Sequence, residues 1–313
     1  MVKAGTGAAA LLELVQERID GISPLDLNSV MTLAADMSPL SGNIMELHFD
    51  KCLDRVDFAT RISKQFDAAL IPGCRLPFAT YGLKGLIGEY DGIENIWIEY
   101  DAPFTRPPAL FFDLYRQAAF CPQRVYKRLQ EITGGLGYPL TPRLLNFLEL
   151  LQQLALRVVY YGCMFSRQSR SIRLTIHGIT PSTLTTRLRQ LGWNGNYQAL
   201  DHLRVSCLHA EQQLVVGVDV EEETGARIGI EVFDKDPETF IHTLYKNGRI
   251  SAGDAALVMR WPGCRLLPAD LSHVLTQLQQ RPAHRLYTRI NHFKFVVDDT
   301  DLTAVKGYLY YCY

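Results

Sequence analysis

Acids, bases and aromatic rings recur at alternate positions along several short segments of this chain. Glu46 and His48 stand two apart, as do Trp97 and Glu99, and so do Arg173, Thr175 and His177. Asp219, Arg227 and Glu231 belong to a fourth such region, and Lys294, Lys306, Tyr308 and Tyr310 to a fifth, with Arg61 just beyond the first. Carboxylates in such a set can take up a proton or hold a basic group. Cations can hold an anion, and aromatic faces attract positive charge.

Other chemistries find less support. Ser166 and Ser171 have no nucleophile-elbow residues around them, so nothing indicates a hydrolase triad. The eight histidines show no HxxxH spacing; His177, His48 and His292 could gather as metal ligands only if the fold brought them together, and no metal site is assigned. Gly5-Thr6-Gly7 and Gly134-Gly135-Leu136-Gly137 lack the preceding strand and following lysine of a phosphate loop. Asp298-Asp299-Thr300-Asp301 looks like the aspartate-rich Mg²⁺–diphosphate box of helical prenyl synthases, but it joins two strand-like segments and reads as an Asx turn. The seven cysteines form no CxxC pair, which argues against structural zinc and a disulfide framework and for a reducing, cytoplasmic setting.

The elements that must carry these residues are mainly short strands. Val216, Val218 and Val220 alternate with Gly217 and Asp219, an acidic turn follows, and Ile228, Ile230 and Val232 alternate with Gly229 and Glu231. Phe293, Phe295 and Val297 alternate with Lys294, and the return segment carries Lys306, Tyr308 and Tyr310 on one face. Three more hairpins follow the same template: Ile44–Phe49 with Val56–Ile62, Leu86–Tyr90 with Ile96–Tyr100, and Val158–Phe165 with Ser171–His177. Period-two patterning of this kind marks antiparallel strands with one apolar and one polar face.

Helical periodicity fills the intervals: Ala8–Ile19, Pro24–Met37, Arg61–Leu70 (continuing from a strand), Ala109–Phe120, Pro122–Ile132, Thr141–Arg157, Pro181–Leu191, Tyr197–Leu203, Pro237–Asn247, Ser251–Arg260 and Pro268–Gln280. Proline stands at or near the start at Pro181, Pro237 and Pro268, as suits a first helical turn.

With 47% hydrophobic and 21% charged residues, the 313-residue chain can bury a large core and is not disordered. Its 32 basic and 33 acidic residues leave a net charge of -1, so no overall basic footprint points to nucleic acid. No apolar run reaches the roughly 20 residues of a membrane span. No Gly-, Ser- or charge-rich linker divides the chain, and residues 1–313 read as one domain. The expected fold is α+β: five consecutive hairpins closing into a ten-stranded antiparallel barrel, helices outside and the polar faces lining the lumen.

This order of hairpins and helices resembles the ABBA prenyltransferases of aromatic and peptide acceptors (cyanobactin-like members included), whose ten-stranded barrel repeats an α-β-β-α unit. The resemblance spans roughly Ile44 to Tyr311. It rests on Ser171-Ile172-Arg173-Leu174-Thr175-Ile176, on Gly217-Val218-Asp219-Val220 through Ile230-Glu231-Val232, and on Val305-Lys306-Gly307-Tyr308-Leu309-Tyr310.

The resemblance implies transfer of a prenyl group from an allylic diphosphate, the co-substrate, with or without Mg²⁺, to an aromatic or basic acceptor. That acceptor is a small molecule or a ribosomally made peptide. Arg61, Arg173, Lys294 and Lys306 then hold the diphosphate, and Trp97, Tyr308 and Tyr310 shield the allyl cation. Glu46 takes the acceptor's proton, with Glu99 and Glu231 as its alternatives.

Three features keep other readings open. Lys294 and Lys306 could pair with acids across strands, Arg173 could pair with Asp219 or Glu231, and the carboxylates outnumber what a plain aromatic acceptor needs. A non-catalytic peptide- or partner-binding protein and a metal-assisted peptide-modifying enzyme therefore remain as alternatives.

Overall fold

A strand that alternates apolar and polar side chains can bury both faces only if its sheet closes on itself. That is the arrangement in the computed structural model, which describes residues 6–16, 18, 24–35, 37, 40, 42–49, 55–63, 93–114, 120–138, 140–165, 171–221, 224–279 and 281–313. The strands are β1 (Gly42–His48), β2 (Val56–Ser63), β3 (Asn95–Tyr100), β4 (Ala109–Phe112), β5 (Arg157–Cys163), β6 (Ile172–His177), β7 (Gln213–Val220), β8 (Thr224–Phe233), β9 (Gly263–Leu266), β10 (Arg285–Val297) and β11 (Leu302–Cys312). Each of β1 through β7 pairs antiparallel with the next, β8 pairs with β10, β10 with β11, and β11 returns to β1. Ten strands thus form a closed barrel. The short β9 lies outside the ring, against Arg285–Thr288 of β10.

Among the described residues nine helices surround the barrel: α1 (Thr6–Gln16), α2 (Pro24–Ala35), α3 (Pro122–Gly135), α4 (Arg143–Gln153), α5 (Leu184–Gln190), α6 (Tyr197–Cys207), α7 (Pro237–Lys246), α8 (Ala252–Arg260) and α9 (Ala269–Gln279). Their starts are fixed locally. The Asn196 side chain accepts from the Gln198 and Ala199 amides, the Asp236 side chain accepts from Thr239, and Ser251 with Asp254 forms a capping box. Each cap is worth about 1 kcal/mol.

The helices turn Leu129, Leu148, Leu200, Phe240 and Leu257 onto the outward strand residues Leu47, Ile98, Leu174, Val218, Ile230 and Leu309, all in one continuous core. Each such side chain contributes about 2 kcal/mol through burial alone. Inside the ring lie two separate apolar clusters, Ile44 with Tyr308 and Tyr310, and Ala109 with Phe111 and Met164. Trp97 packs against both.

Five hairpins form the ring, but the second differs from expectation. Its strands are β3 and β4, and Ala109–Phe112 is a strand where helix was expected. Leu110 and Phe112 pack outward while Ala109 and Phe111 face the lumen, so both faces are apolar and no alternation marks the strand. The expected strand Leu86–Tyr90, the helical continuation over 64–70 and the turns at 50–54 and 166–170 lie outside the described residues. The expected helix Thr141–Arg157 ends earlier, at Gln153, and Arg157 opens β5.

Candidate active site

The register carries the polar face continuously around the ring. Glu46 lies opposite Tyr308, and His48 opposite Lys306. Lys306 is opposite Lys294, which in turn is opposite Glu231. Arg61 faces Trp97, Trp97 faces Phe111, and Arg173 faces Asp219. All ten expected site residues therefore project from one face of a closed sheet, into the lumen.

Most of the cations there are already matched by acids. The Arg173 guanidinium donates from Nε and Nη2 to the two oxygens of Asp219, at 2.7 and 2.6 Å. Lys294 Nζ donates to Glu231 Oε1 at 3.2 Å, and Lys306 Nζ donates to Glu46 Oε1. Burial pushes the Glu46 carboxyl up, but Lys306, His48 and Lys294 together hold it well below the usual carboxylate range. Burial likewise opposes ionisation of Glu231, and the Lys294 ammonium overcomes it through its charge and its hydrogen bond, so this carboxyl also lies low. For Arg173, burial disfavours the charge and Asp219 more than restores it. The direct juxtaposition of Lys294 and Lys306 would be repulsive in a bare sheet. Here a glutamate stands beside each.

The aromatic groups form a second set. The His292 and Tyr308 rings stack with centroids 4.0 Å apart, and the Phe233 ring lies tilted with its centroid 4.8 Å from that of His292. Burial first, and Lys294 next, pull His292 down to about 4 despite Glu231 and Glu46, so it is a neutral ring at neutral pH. Lys294 Nζ sits 5.7 Å from the Tyr308 centroid, Arg61 lies 5.7 Å from that of Trp97, and Arg289 lies 4.9 Å from that of Tyr310. Such contacts are worth about 0.5–2 kcal/mol each. Burial, then the carboxylates Glu46, Glu99 and Glu231, push the Tyr308 phenol well up, and burial pushes Tyr310 up to about 12.

Arg173, Arg227, Lys294 and Lys306 converge with Glu99 and Tyr308 on an internal cavity of about 20 Å³, room for about one water. The Lys294 stem fills part of the lumen, lying where a side chain on Gly229 would stand. A wider opening of about 430 Å³ is bordered by Ser171, Asp219, Glu221, Arg227, Asp298 and Asp299. Three of the four expected diphosphate ligands thus meet around the inner cavity. Arg61 is not among the residues lining it: it lies against Trp97, its Nε buried without a hydrogen-bond partner. Glu46 is reached through Lys306, and Trp97 and Tyr310 lie with Ile44 in the apolar part of the lumen.

The three histidines have separate neighbours: His177 meets Gln213, His48 meets Asp57, and His292 stacks on Tyr308. Among the described residues, Glu46, His48 and Asp57 form the group whose ligand atoms come within 4.8 Å of one another. The ammonium of Lys306 already sits on Glu46 Oε1, in the role a bound cation would fill, and the mixed imidazole–carboxylate set does not suit Mg²⁺, which prefers oxygen ligands in octahedral array. Asp298 accepts from the Thr300 amide and hydroxyl and from the Asp301 amide, so the aspartate-rich segment is a turn.

Sequence reasoning misses Asp57 and Arg289; it puts Arg227 on the polar face and His292 among possible metal ligands, without giving either a place in the site. Asp57 shares the phase of Arg61, four residues on, and was readable from period two. Arg227 and His292 carry the inward phase of their strands, yet their neighbours across the lumen are set by long-range register. Arg289 faces Tyr310 only because a bulge between Ile290 and His292 switches the inward phase of β10, which no local pattern announces.

No family model matches the chain, and no curated protein matches its sequence. Among solved structures it is similar to 5-dimethylallyltryptophan synthase from Streptomyces coelicolor, with a TM-score of 0.54 at 11% identity, over 98% of this chain and 97% of that one. The fold is the ABBA barrel. The same synthase in complex with DMASPP and Trp superposes with a TM-score of 0.53 at 10% identity, over 98% and 94% of the two chains.

Proposed function

We propose that this ABBA barrel transfers an allylic prenyl group from its diphosphate to an electron-rich acceptor within the lumen. The observation that carries the reading is the convergence of Arg173, Lys294 and Lys306, joined by Arg227, on one cavity beside Tyr308. Heterolysis of the allylic C–O bond leaves its electron pair on the diphosphate, and converging cations stabilise that charge most as it develops. The allyl fragment left behind is an electrophile that water would quench. Trp97, Tyr308 and Tyr310 supply aromatic faces for it, and Ile44 and Phe111 supply apolar wall. Arg61 joins the diphosphate set once it turns from Trp97.

The acceptor's π or lone-pair electrons form the new C–C or C–N bond, and its displaced proton passes to Glu46. A carboxylate held well below the usual range is a weak base. It is adequate here because a prenylated, still-protonated acceptor is a strong acid. Glu99 and Glu231 remain the alternatives. The four cations provide the charge neutralisation that Mg²⁺ gives elsewhere, and this reading assigns the metal no step.

Asp219, Glu221, Asp298 and Asp299 around the wider opening support an acceptor that carries a basic group, either a small molecule or a peptide. The five cysteines among the described residues are all free, in keeping with a reducing cytoplasm. No described helix is long and apolar enough to cross a membrane.

The charge-matched state of the lumen favours a second reading, a protein that holds a peptide without turnover, and binding of the donor separates the two. Calorimetry should detect dimethylallyl diphosphate or inorganic diphosphate binding to the wild-type protein and its loss in Lys306→Met and Arg173→Met. If the wild type binds neither anion, prenyl transfer is wrong.

A further inference from the structure

A buried hydrogen-bonded chain runs behind Glu46. Asp57, on β2 directly opposite Glu46, is fully buried and accepts at Oδ1 from Arg55 Nε at 3.0 Å and from the Ala102 amide at 2.8 Å. Its Oδ2 lies 2.8 Å from His48 Nε2. That same nitrogen lies 3.3 Å from Glu46 Oε1, the oxygen that also takes Lys306. Glu46 Oε2 is buried with no hydrogen-bond partner. The two oxygens are therefore unlike: one is gripped by cations, and the other is left for a ligand's proton.

We propose that Asp57 and His48 are positioning residues for prenyl transfer, keeping an imidazolium on Glu46 Oε1 so that Glu46 stays ionised, with Oε2 presented, when a diphosphate takes Lys306. The assignment rests on the prenyl-transfer reading given above. Its need follows from charge. A diphosphate drawn to Lys294 and Lys306 brings several negative charges close to Glu46. At about 5 Å and an effective dielectric near 20, each one raises the proton affinity of a carboxylate on the order of a hundredfold. Losing Lys306 to the donor removes the main opposing charge as well. A base protonated by its own co-substrate could not accept the acceptor's proton.

His48 is placed to offset this, provided that it is charged. Burial alone would neutralise the ring. The bond to Asp57, followed by that to Glu46, outweighs burial and the nearby Lys306, and the imidazole titrates above its ordinary value. Every facing element contributes to the balance. Glu46 meets His48 from its own strand, Asp57 from β2, Lys306 and Tyr308 from β11, and Lys294 from β10. Arg55 in turn pairs with Asp57 at 3.0 Å on the oxygen that does not face His48. The proton leaving the acceptor goes to Glu46 Oε2, and His48 keeps its own.

Two measurements on the full chain test this. The first follows the His48 ring by NMR in histidine-labelled protein, with and without inorganic diphosphate. The second is the pH profile of kcat at saturating dimethylallyl diphosphate and acceptor, which reports the groups of the donor-bound complex. His48 should titrate above about 6.5 in the wild type and fall by about one unit or more in Asp57→Asn. The acid limb of the profile should move up by about one pH unit in Asp57→Asn. That amounts to roughly tenfold loss on the acid side of the wild-type limb and little on the plateau above it.

His48→Gln, which keeps a hydrogen-bond donor without the charge, should shift the limb similarly, and the double variant should shift it no further. Activity lost equally at all pH values, or a wild-type His48 that titrates at or below its ordinary value, overturns the assignment. Failure of the wild type to bind diphosphate overturns instead the reading beneath it.

Discussion

Replacing His292 by phenylalanine should flatten the acid limb of this protein's stability. The ring is buried between Phe233 and Tyr308, and its titration lies at about 4 against an ordinary 6.5. Because the folded value is the lower one, the unfolded chain binds the extra proton first. The contribution of His292 is therefore complete above about pH 6.5 and is lost progressively as the pH falls to about 4. A difference of that size corresponds to about 3 kcal/mol.

The window is fairly clean. Glu46 and Glu231, both held low, lose their contributions only below their ordinary value of 4.5. His48, held high, is charged in the folded protein throughout the window and loses its contribution only as the pH rises through its raised value. The assay is urea unfolding across that range, comparing the wild type with His292→Phe, which retains the stacking but cannot titrate. The wild type should lose about 2 kcal/mol more than the variant between about pH 6.5 and 4.5. Equal pH slopes for the two proteins would refute a buried neutral imidazole at this position.

Other expectations follow from the same geometry. A Cβ on Gly229 would clash with Lys294 Cε, so Gly229→Ala should displace that flexible stem at little cost in stability and weaken inorganic diphosphate binding on the order of tenfold by calorimetry. Arg173→Met removes the bidentate partner of Asp219 and should cost about 3 kcal/mol in urea unfolding, part of it recovered when Asp219 is also made apolar. Trp97→Ala opens the aromatic wall beside Arg61. Chromatography should then find a higher ratio of free prenyl alcohol to prenylated acceptor, as water reaches the cation.

The parts legible in advance were those written locally. Val216, Val218 and Val220 against Gly217 and Asp219 gave both a strand and the face it buries, because helices cover one side of the sheet and a charged lumen fills the other. Four of the ring's five hairpins are legible in this way; the other joins Asn95–Tyr100 to Ala109–Phe112. Ala109–Phe112 escaped because its inward residues Ala109 and Phe111 are as apolar as its outward ones. The identity of each ion pair escaped for another reason. Glu46 and Lys306 are 260 residues apart and meet only through closure of the ring between β1 and β11. Types and faces could be read from alternation, but which acid quenches which base needed the register.

Turnover is the most direct test of the central claim. The purified chain is incubated with dimethylallyl or geranyl diphosphate and a panel of aromatic and basic peptides, and the products are read by mass spectrometry. The expected result is addition of one prenyl unit with release of inorganic diphosphate, suppressed in Glu46→Gln. A protein that binds the diphosphate and a peptide stoichiometrically, yet transfers nothing to any acceptor, would contradict it.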